Sequence, residues 1–592
     1  MYQNQFMKKL FAPLLFIILA VISFQCQKEL SYDGGSVSPV ASDPVTASLQ
    51  GTVFDETGQP ASGVSIKVGS KTIVTDTRGY FRVNNASLDK YQSLVTAEKT
   101  GYFKAIRTFN ATSGTNQVMI KLIKKVSAGI INAATGGDVS LSNGAKVLLP
   151  ANGVVNAQTN AAYTGNITVY ATYIDPTAAD IDRIIPGSFL ATDKDNKKAI
   201  LSSYGMMAVE LVSSTGEKLQ IAAGKAATLT TPIPASVASS APATISLWYM
   251  DEQTGLWKEE GQATKSGSVY TGEVKHFTYW NCDVAGPTVN FTATFLKADG
   301  TPLSYFPVYI WPSAGYYGTA HGYTDSLGQV SGPVPANMNL TIQLMNPCGG
   351  VAFSQPIGPF SSNVNYGTIT VPNNLVGLVT VRGKLVNCSN APVTNGYAMI
   401  YYDYYLRYAS VNSSGDFTTT FFTCSAPSTC SIIGVDNGGQ QQSSIINVAV
   451  GTPTTNAGTI SACGNSSQQY INYTVDGTSY SIPNDSLAIY GYQFAWSPEP
   501  FMARIYGYNN PNNQTIFFSF VNNGTPGSFP LDIYSIVNYN AIREEAPFNV
   551  TITSYPAIPG DFYEGQFTGQ FRDSSDLIHL HTVNCSFRAR RN

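Results

Sequence analysis

Short runs in which apolar and polar residues alternate one for one recur along the chain, among them Val64-Ser-Ile66-Lys-Val68, Ile167-Thr-Val169, Val308-Tyr-Ile310 and Ile471-Asn-Tyr473-Thr-Val475. A period of two places every second side chain on one face, so each run predicts a strand that buries one side. Residues with turn chemistry separate the runs: Asp55-x-x-Gly58 followed by Pro60, Thr75-Asp76-x-x-Gly79, and Asp476-Gly477. Glycine supplies positive φ in such turns, and Asp-Gly is a strong hairpin signal. The pattern predicts an all-β fold, a string of β-sandwich modules. One stretch departs from it. Lys8 and Lys9 precede an apolar run from Leu10 to Ile22, which has the length of a signal peptide and is short for a membrane span.

The turn cues recur in a fixed order. Asp55-Glu-Thr-Gly58, Pro60, the Val64–Val68 strand and Thr75-Asp76-Thr-Arg-Gly79 come first. They return as Asp299-Gly300-Thr-Pro302, Val308-Tyr-Ile310 and Thr324-Asp325-Ser-Leu-Gly328, and again as Asn390-Ala-Pro392, Ala398-Met-Ile400 and Asn412-Ser-Ser-Gly415. Three cues in one order and at similar spacing indicate a module used three times. The first copy resembles the carboxypeptidase regulatory-like module, a transthyretin-like seven-stranded sandwich common at the N-terminus of Bacteroidetes surface proteins. That resemblance implies a module without catalytic residues.

Between the first two copies lies a different pattern, with Gly136-Gly137-Asp-Val139, Ala145-Lys-Val147, Ile185-Pro186-Gly187 and Trp248-Tyr-Met-Asp251-Glu-Gln-Thr-Gly255-Leu-Trp257. It resembles a β-sandwich region of cartilage intermediate layer protein, and more loosely the ZU5 fold, which implies an extracellular structural or interaction module. The expected organisation is a signal peptide (1–25), a flexible tether (26–46), a sandwich (47–123), a larger sandwich (124–286), two repeats of the first (287–372 and the Cys-rich 373–463) and a C-terminal β-domain (464–592).

Cys26 follows the leader in Ser23-Phe-Gln25-Cys26-Gln27-Lys28-Glu29. This resembles the lipobox of bacterial lipoproteins, whose cysteine thiol takes diacylglycerol and whose freed amine takes a further chain. Cys-Gln-Lys-Glu is also similar to the surface-export signal of Bacteroidetes lipoproteins. Gln25 departs from the small residue usual in a lipobox, and a signal peptide with an incidental cysteine or an uncleaved anchor is the alternative. The resemblance implies a protein held at the cell outer membrane through its N-terminal lipid and exposed at the surface. Two or three chains anchor firmly because each buried methylene adds about 0.8 kcal/mol.

Composition agrees: charged residues are only 12%, and 52 Gly, 35 Tyr and 29 Phe suit short pleated strands joined by turns. A net charge of −3 offers no field for nucleic acid. Export permits disulfides. Cys388, Cys424, Cys430 and Cys463 fall in one module, enough for two bridges in any of three connectivities. No Cys-x-x-Cys pair or neighbouring histidine favours zinc.

Candidate chemistry is sparse. Tyr401, Tyr402, Tyr404, Tyr405 and Tyr408 form the densest aromatic run. Taken as one strand, it puts Tyr402, Tyr404 and Tyr408 on a face that stacks on pyranose rings or a protein partner, or that only stabilises a sheet. Trp248, Trp257 and Trp280 are either a sugar platform or residues of a sandwich seam. His276 is a structural hydrogen-bonder. His579 and His581 share a strand face and would reach a metal together with Asp573 or Asp576, but two ligands are not a site and no metal is assigned. Nucleophile, phosphate-loop and metal signatures are missing from the sequence. The expectation is a non-enzymatic protein without cofactor, presenting interaction modules for adhesion or envelope assembly to an unidentified protein or glycan. Polysaccharide capture for uptake is the alternative; a glycosidase with dispersed carboxylates needs no local motif.

Overall fold

The computed structural model describes residues 43–591 apart from 77, 314–319, 346–349, 373–377, 403–404, 424–428, 452–453, 484–489, 495–500, 510–513, 538, 541, 545–547 and 574–575. The chain is nearly all β. Among the described residues a single four-residue helix, Ile181–Ile184, interrupts the strands.

Three sandwiches share one topology. In the first, Pro44–Phe54 is the central strand, antiparallel to Tyr80–Asp89 and parallel to Thr115–Lys121. In the second, the end of Tyr279–Lys297 is antiparallel to Gln329–Pro335 and parallel to Val364–Val371. In the third, Leu378–Val386 is antiparallel to Asp416–Phe422 and parallel to Thr454–Ser461. A second sheet closes each core, and in the first sandwich it buries Val64, Ile66 and Val68 completely.

The first turn repeats in its backbone: Asp55, Lys297 and Asn387 each donate their N–H to the carbonyl four residues on, of Gln59, Thr301 and Ala391. Asp55 Oδ1 accepts the amides of Thr57 and Gln59 and Asn387 Oδ1 those of Ser389 and Ala391, whereas the second copy has Lys297 in that place and Asp299 Oδ1, two residues later, accepts the amide of Thr301. In the second turn Asp76, Asp325 and Asn412 each accept two backbone amides through Oδ1. The glycines that close it, Gly79, Gly328 and Gly415, have φ of 68°, 78° and 81°, and a Cβ would lie 2.2, 2.4 and 2.5 Å from the carbonyl oxygens of Val53, Phe295 and Leu385. Glycine alone satisfies both conditions. In every copy its own carbonyl accepts the central strand's N–H at 2.8 Å.

The larger sandwich is built around Val147, Ile167, Val169, Leu211, Leu229 and Trp280. Its last strand, Tyr279–Lys297, has 19 residues and continues into the second repeat, so the two sandwiches share one backbone strand. The C-terminal sheet of eleven strands is antiparallel in every pairing among the described residues and curls over one core containing Ile471, Phe518, Phe567 and Phe587. Across that core the Tyr473 hydroxyl donates to Thr515 O at 3.2 Å.

The modules fold back onto the first one. Phe103 and Ile106 join Trp248, Met250, Trp257 and Tyr279 of the larger sandwich in a shared apolar cluster. The repeated Asp-x-x-Gly turn does the rest: Oδ1 builds the turn, which leaves Oδ2 for a neighbour. Asp325 Oδ2 accepts from Thr112 Oγ1 at 2.8 Å and Gly114 N at 2.9 Å, tying the second repeat to the first. Asp76 Oδ2 accepts the Tyr397 hydroxyl at 2.6 Å, tying the third. In the third copy Asn412 has an amide nitrogen in that place. The C-terminal sheet docks through Arg588 and Arg590, which donate to Ser466 O and Ser467 O at 2.7 and 2.8 Å, and its module packs Ile558 against the cluster of Tyr80 and Tyr397.

Candidate functional site

In the second repeat, strand Pro307–Pro312 alternates buried Val308 and Ile310 with outward Tyr309 and Trp311. Its antiparallel neighbour, Ala320–Tyr323, pairs His321 with Tyr309 and carries Tyr323 two residues on. The result is a row of rings. Trp311 stacks on Tyr309 at 6.4 Å and 21°, Tyr309 lies 4.9 Å from His321, and His321 meets Tyr323 edge-on at 4.9 Å. Trp311 is 42% exposed, so the row ends in an indole open to solvent.

The inner end of the row is fixed by charge. The helix Ile181–Ile184 of the larger sandwich places Asp182 Oδ2 3.4 Å from His321 Nε2 and within 3.4 Å of the Tyr323 hydroxyl, which donates to it. Arg107 of the first sandwich holds that helix by donating to Ile185 O at 2.6 Å and to Asp182 O. Three modules thus meet here. Burial pushes the His321 pKa down to about 4; Arg107 and Arg183 push the same way, and Asp182 opposes them without winning. Burial likewise lifts Tyr309 to about 12. Both rings are neutral near pH 7, so the site suits stacking and hydrogen bonding rather than proton transfer.

The residues singled out in the sequence lie elsewhere. Cys26 falls outside the described residues. Cys388 and Cys463 form a disulfide with Cα atoms 5.1 Å apart. Cys430 does not join one: its strand turns the thiol into the core, where it is free and burial raises its pKa to about 11. Cys424 lies outside the described residues.

The tyrosine run does not make one face. The chain reverses within it, so Gly396–Tyr402 pairs antiparallel with Tyr405–Ser410, Tyr402 opposite Tyr405 and Met399 opposite Tyr408. Tyr402 points into the core at 2% exposure, donates to Phe422 O at 3.2 Å and stacks on Phe421 at 3.8 Å. Tyr408 points the other way and packs on Tyr80 and Tyr397 in the junction with the first sandwich. Tyr402 and Tyr408 therefore do not share a face, and Tyr404 is outside the described residues.

Trp248, Trp257 and Trp280 are buried, each indole N–H donating to a backbone carbonyl, of Asp283, Ser188 and His276 respectively. His276 packs edge-on against Tyr249 and lies 3.8 Å from Glu260, whose pKa it lowers. His581 is held by Asp476 at 2.7 Å, and among the described residues no three His, Cys, Asp or Glu side chains gather as metal ligands. Tyr309 and Trp311 were the residues missed, although their alternation with Val308 and Ile310 was already a signal of an outward aromatic face.

No family model matches the chain. Cartilage intermediate layer protein 2 of Mus musculus is 28% identical over 155 residues, covering 25% of this chain and 13% of that protein; its Homo sapiens counterpart is 29% identical over 109 residues, covering 18% and 9%. The chain therefore spans only a small part of the length of these curated relatives. Among solved structures, a streptococcal ancillary pilin is similar at TM-score 0.13 and 12% identity, covering 39% of this chain and 96% of that one. Shaft pilin SpaA from Lactobacillus rhamnosus GG gives TM-score 0.15 and 12% identity, covering 30% and 99%. The Bacillus anthracis TIE protein gives TM-score 0.14 and 8% identity, covering 65% and 73%.

Proposed function

We propose that the chain is a non-enzymatic cell-surface protein, anchored through an acylated Cys26, whose carboxypeptidase regulatory-like and larger sandwiches serve adhesion or envelope assembly. The observation that carries this reading is the exposed Trp311–Tyr309 stack, set where three modules meet and braced by Asp182 and Arg107. A rigid aromatic pair with a polar end is a low-entropy anchor for a partner. Much of the buried charge chemistry, by contrast, serves junctions between modules. Polysaccharide capture is the second reading, and the same indole favours it because the apolar face of a pyranose stacks on an indole ring.

The test compares cells producing the wild-type chain, the Trp311→Ala variant or no chain, on surfaces coated with xylan, starch, mucin or collagen. Adherence that needs the chain and falls with Trp311→Ala is expected on at least one coat. A polysaccharide coat would select the second reading and collagen the first. Equal adherence by all three strains on every coat would contradict both.

A further inference from the structure

The C-terminal sheet carries a second surface of different chemistry, on another module from the Trp311 platform. Its outer face opens into a shallow concavity of about 800 Å³. Backbone register places Ser481, Asn472, Ser586, Gln566 and Thr551 opposite one another across five strands. Two residues along, Ser479, Thr474, Asn584 and Thr568 form a second row. Nine adjoining grid positions are therefore amide or hydroxyl, with no charge and no apolar side chain. At a strand spacing of about 4.8 Å the longer row spans roughly 19 Å.

Part of the grid is oriented in advance. Ser481 Oγ donates to Asn472 Oδ1 at 2.7 Å, Thr568 Oγ1 to Asn584 Oδ1 at 2.8 Å, and Asn584 Nδ2 to Thr474 Oγ1 at 3.3 Å. Gln566, Thr551 and Ser586 make no side-chain hydrogen bond to protein among the described residues. At the two ends Arg588 pairs with Glu564, and Asp476 Oδ2 lies 2.7 Å from His581 Nδ1. Tyr470, 38% exposed, stands on the same face one position beyond Asn472 and offers a ring at one end.

We propose that this face binds a neutral polysaccharide. A saccharide hydroxyl both donates and accepts, which amides and hydroxyls in a grid answer. An anionic chain finds no unpaired cation there, and a protein partner finds no apolar centre to bury.

The test is affinity electrophoresis of the mature full-length chain in gels containing galactomannan, xyloglucan or mixed-linkage glucan, with polygalacturonate and chondroitin sulfate as anionic comparisons. Retardation by at least one neutral polymer is expected, with affinity about tenfold weaker in Asn472→Ala/Gln566→Ala. Gln566→Lys should weaken it too, and Trp311→Ala should leave it unchanged. Both C-terminal positions are exposed, so an unaltered melting temperature reports an intact fold. The proposal is overturned by retardation in anionic gels alone, by none in any neutral gel, or by binding that survives the double substitution. Loss with Trp311→Ala alone would move neutral-glycan binding to the second repeat and leave the stacking-platform reading standing.

Discussion

Replacing Tyr397 by phenylalanine deletes one oxygen from the junction between the first and third sandwiches. That hydroxyl donates to Asp76 Oδ2 and accepts from Arg78 Nη1, both at 2.6 Å, while Arg78 Nη2 reaches Gln442 Oε1 at 3.1 Å. Tyr397 is fully buried and Arg78 is 3% exposed, so water cannot replace the lost partner. The ring keeps its packing on Tyr80 at 4.6 Å. Two hydrogen bonds to charged groups, at about 1.5–3 kcal/mol each, put the loss at roughly 3–6 kcal/mol.

The loss should appear in the opening of this junction, read by hydrogen exchange along Tyr80–Asp89 and Gly396–Tyr402, with the C-terminal sheet unaffected. Burial already pushes the Asp76 pKa up, and Arg78 and Tyr397 pull it back. Removing the hydroxyl lifts it further, so the penalty should be largest at pH values above the raised Asp76 pKa and shrink as acid protonates Asp76 in wild type and variant alike. In a cycle with Arg78→Met the two losses should be strongly non-additive. Unchanged exchange in Tyr397→Phe, or additive losses, would refute the account of the junction.

The Cys388–Cys463 bridge closes a separation of 75 residues, so its removal by Cys388→Ser/Cys463→Ser should cost the third sandwich roughly 4–5 kcal/mol; thermal melts with and without reductant should then coincide for the variant and differ for the wild type. The three-module junction should weaken in acid, because the folded His321 pKa of about 4 lies below the ordinary 6.5. As pH falls from 6.5 toward 4 the unfolded state takes up a proton the folded state refuses, a loss approaching roughly 3 kcal/mol, and His321→Gln should flatten that part of the profile. Asp283 shows the opposite sign: fully enclosed, its carboxyl is held well above its usual range by burial, with Ser203 opposing. Stability should therefore fall as pH rises above about 4, and Asp283→Asn should raise the melting temperature at pH 7–8; a lower one would show that the acid form makes an essential bond.

The repeated sandwich was legible because its turns need specific atoms. Asp55, Asp76 and Gly79 carry local chemistry, and the third copy keeps it with Asn387 and Asn412 because the amide oxygen accepts as a carboxylate does. The tyrosine run misled because parity holds only within one strand, and the chain reverses between Tyr402 and Tyr405. The docking of modules could not be read at all. Arg78 and Tyr397 lie 319 residues apart, and nothing local to either marks the other as its partner. The neutral C-terminal face is similar: Asn472 and Gln566 fall into one row, on either side of Ser586, only once the register of three strands is known.

Surface display through Cys26 is tested most directly by shaving intact cells with protease and determining the mature N-terminus by mass spectrometry. The account predicts peptides from the sandwiches released without lysis, and a mature chain that begins at Cys26 with its mass raised by two or three acyl chains. A mature chain that starts at another residue, or a Cys26 without lipid on a protein that protease reaches only after lysis, would contradict it.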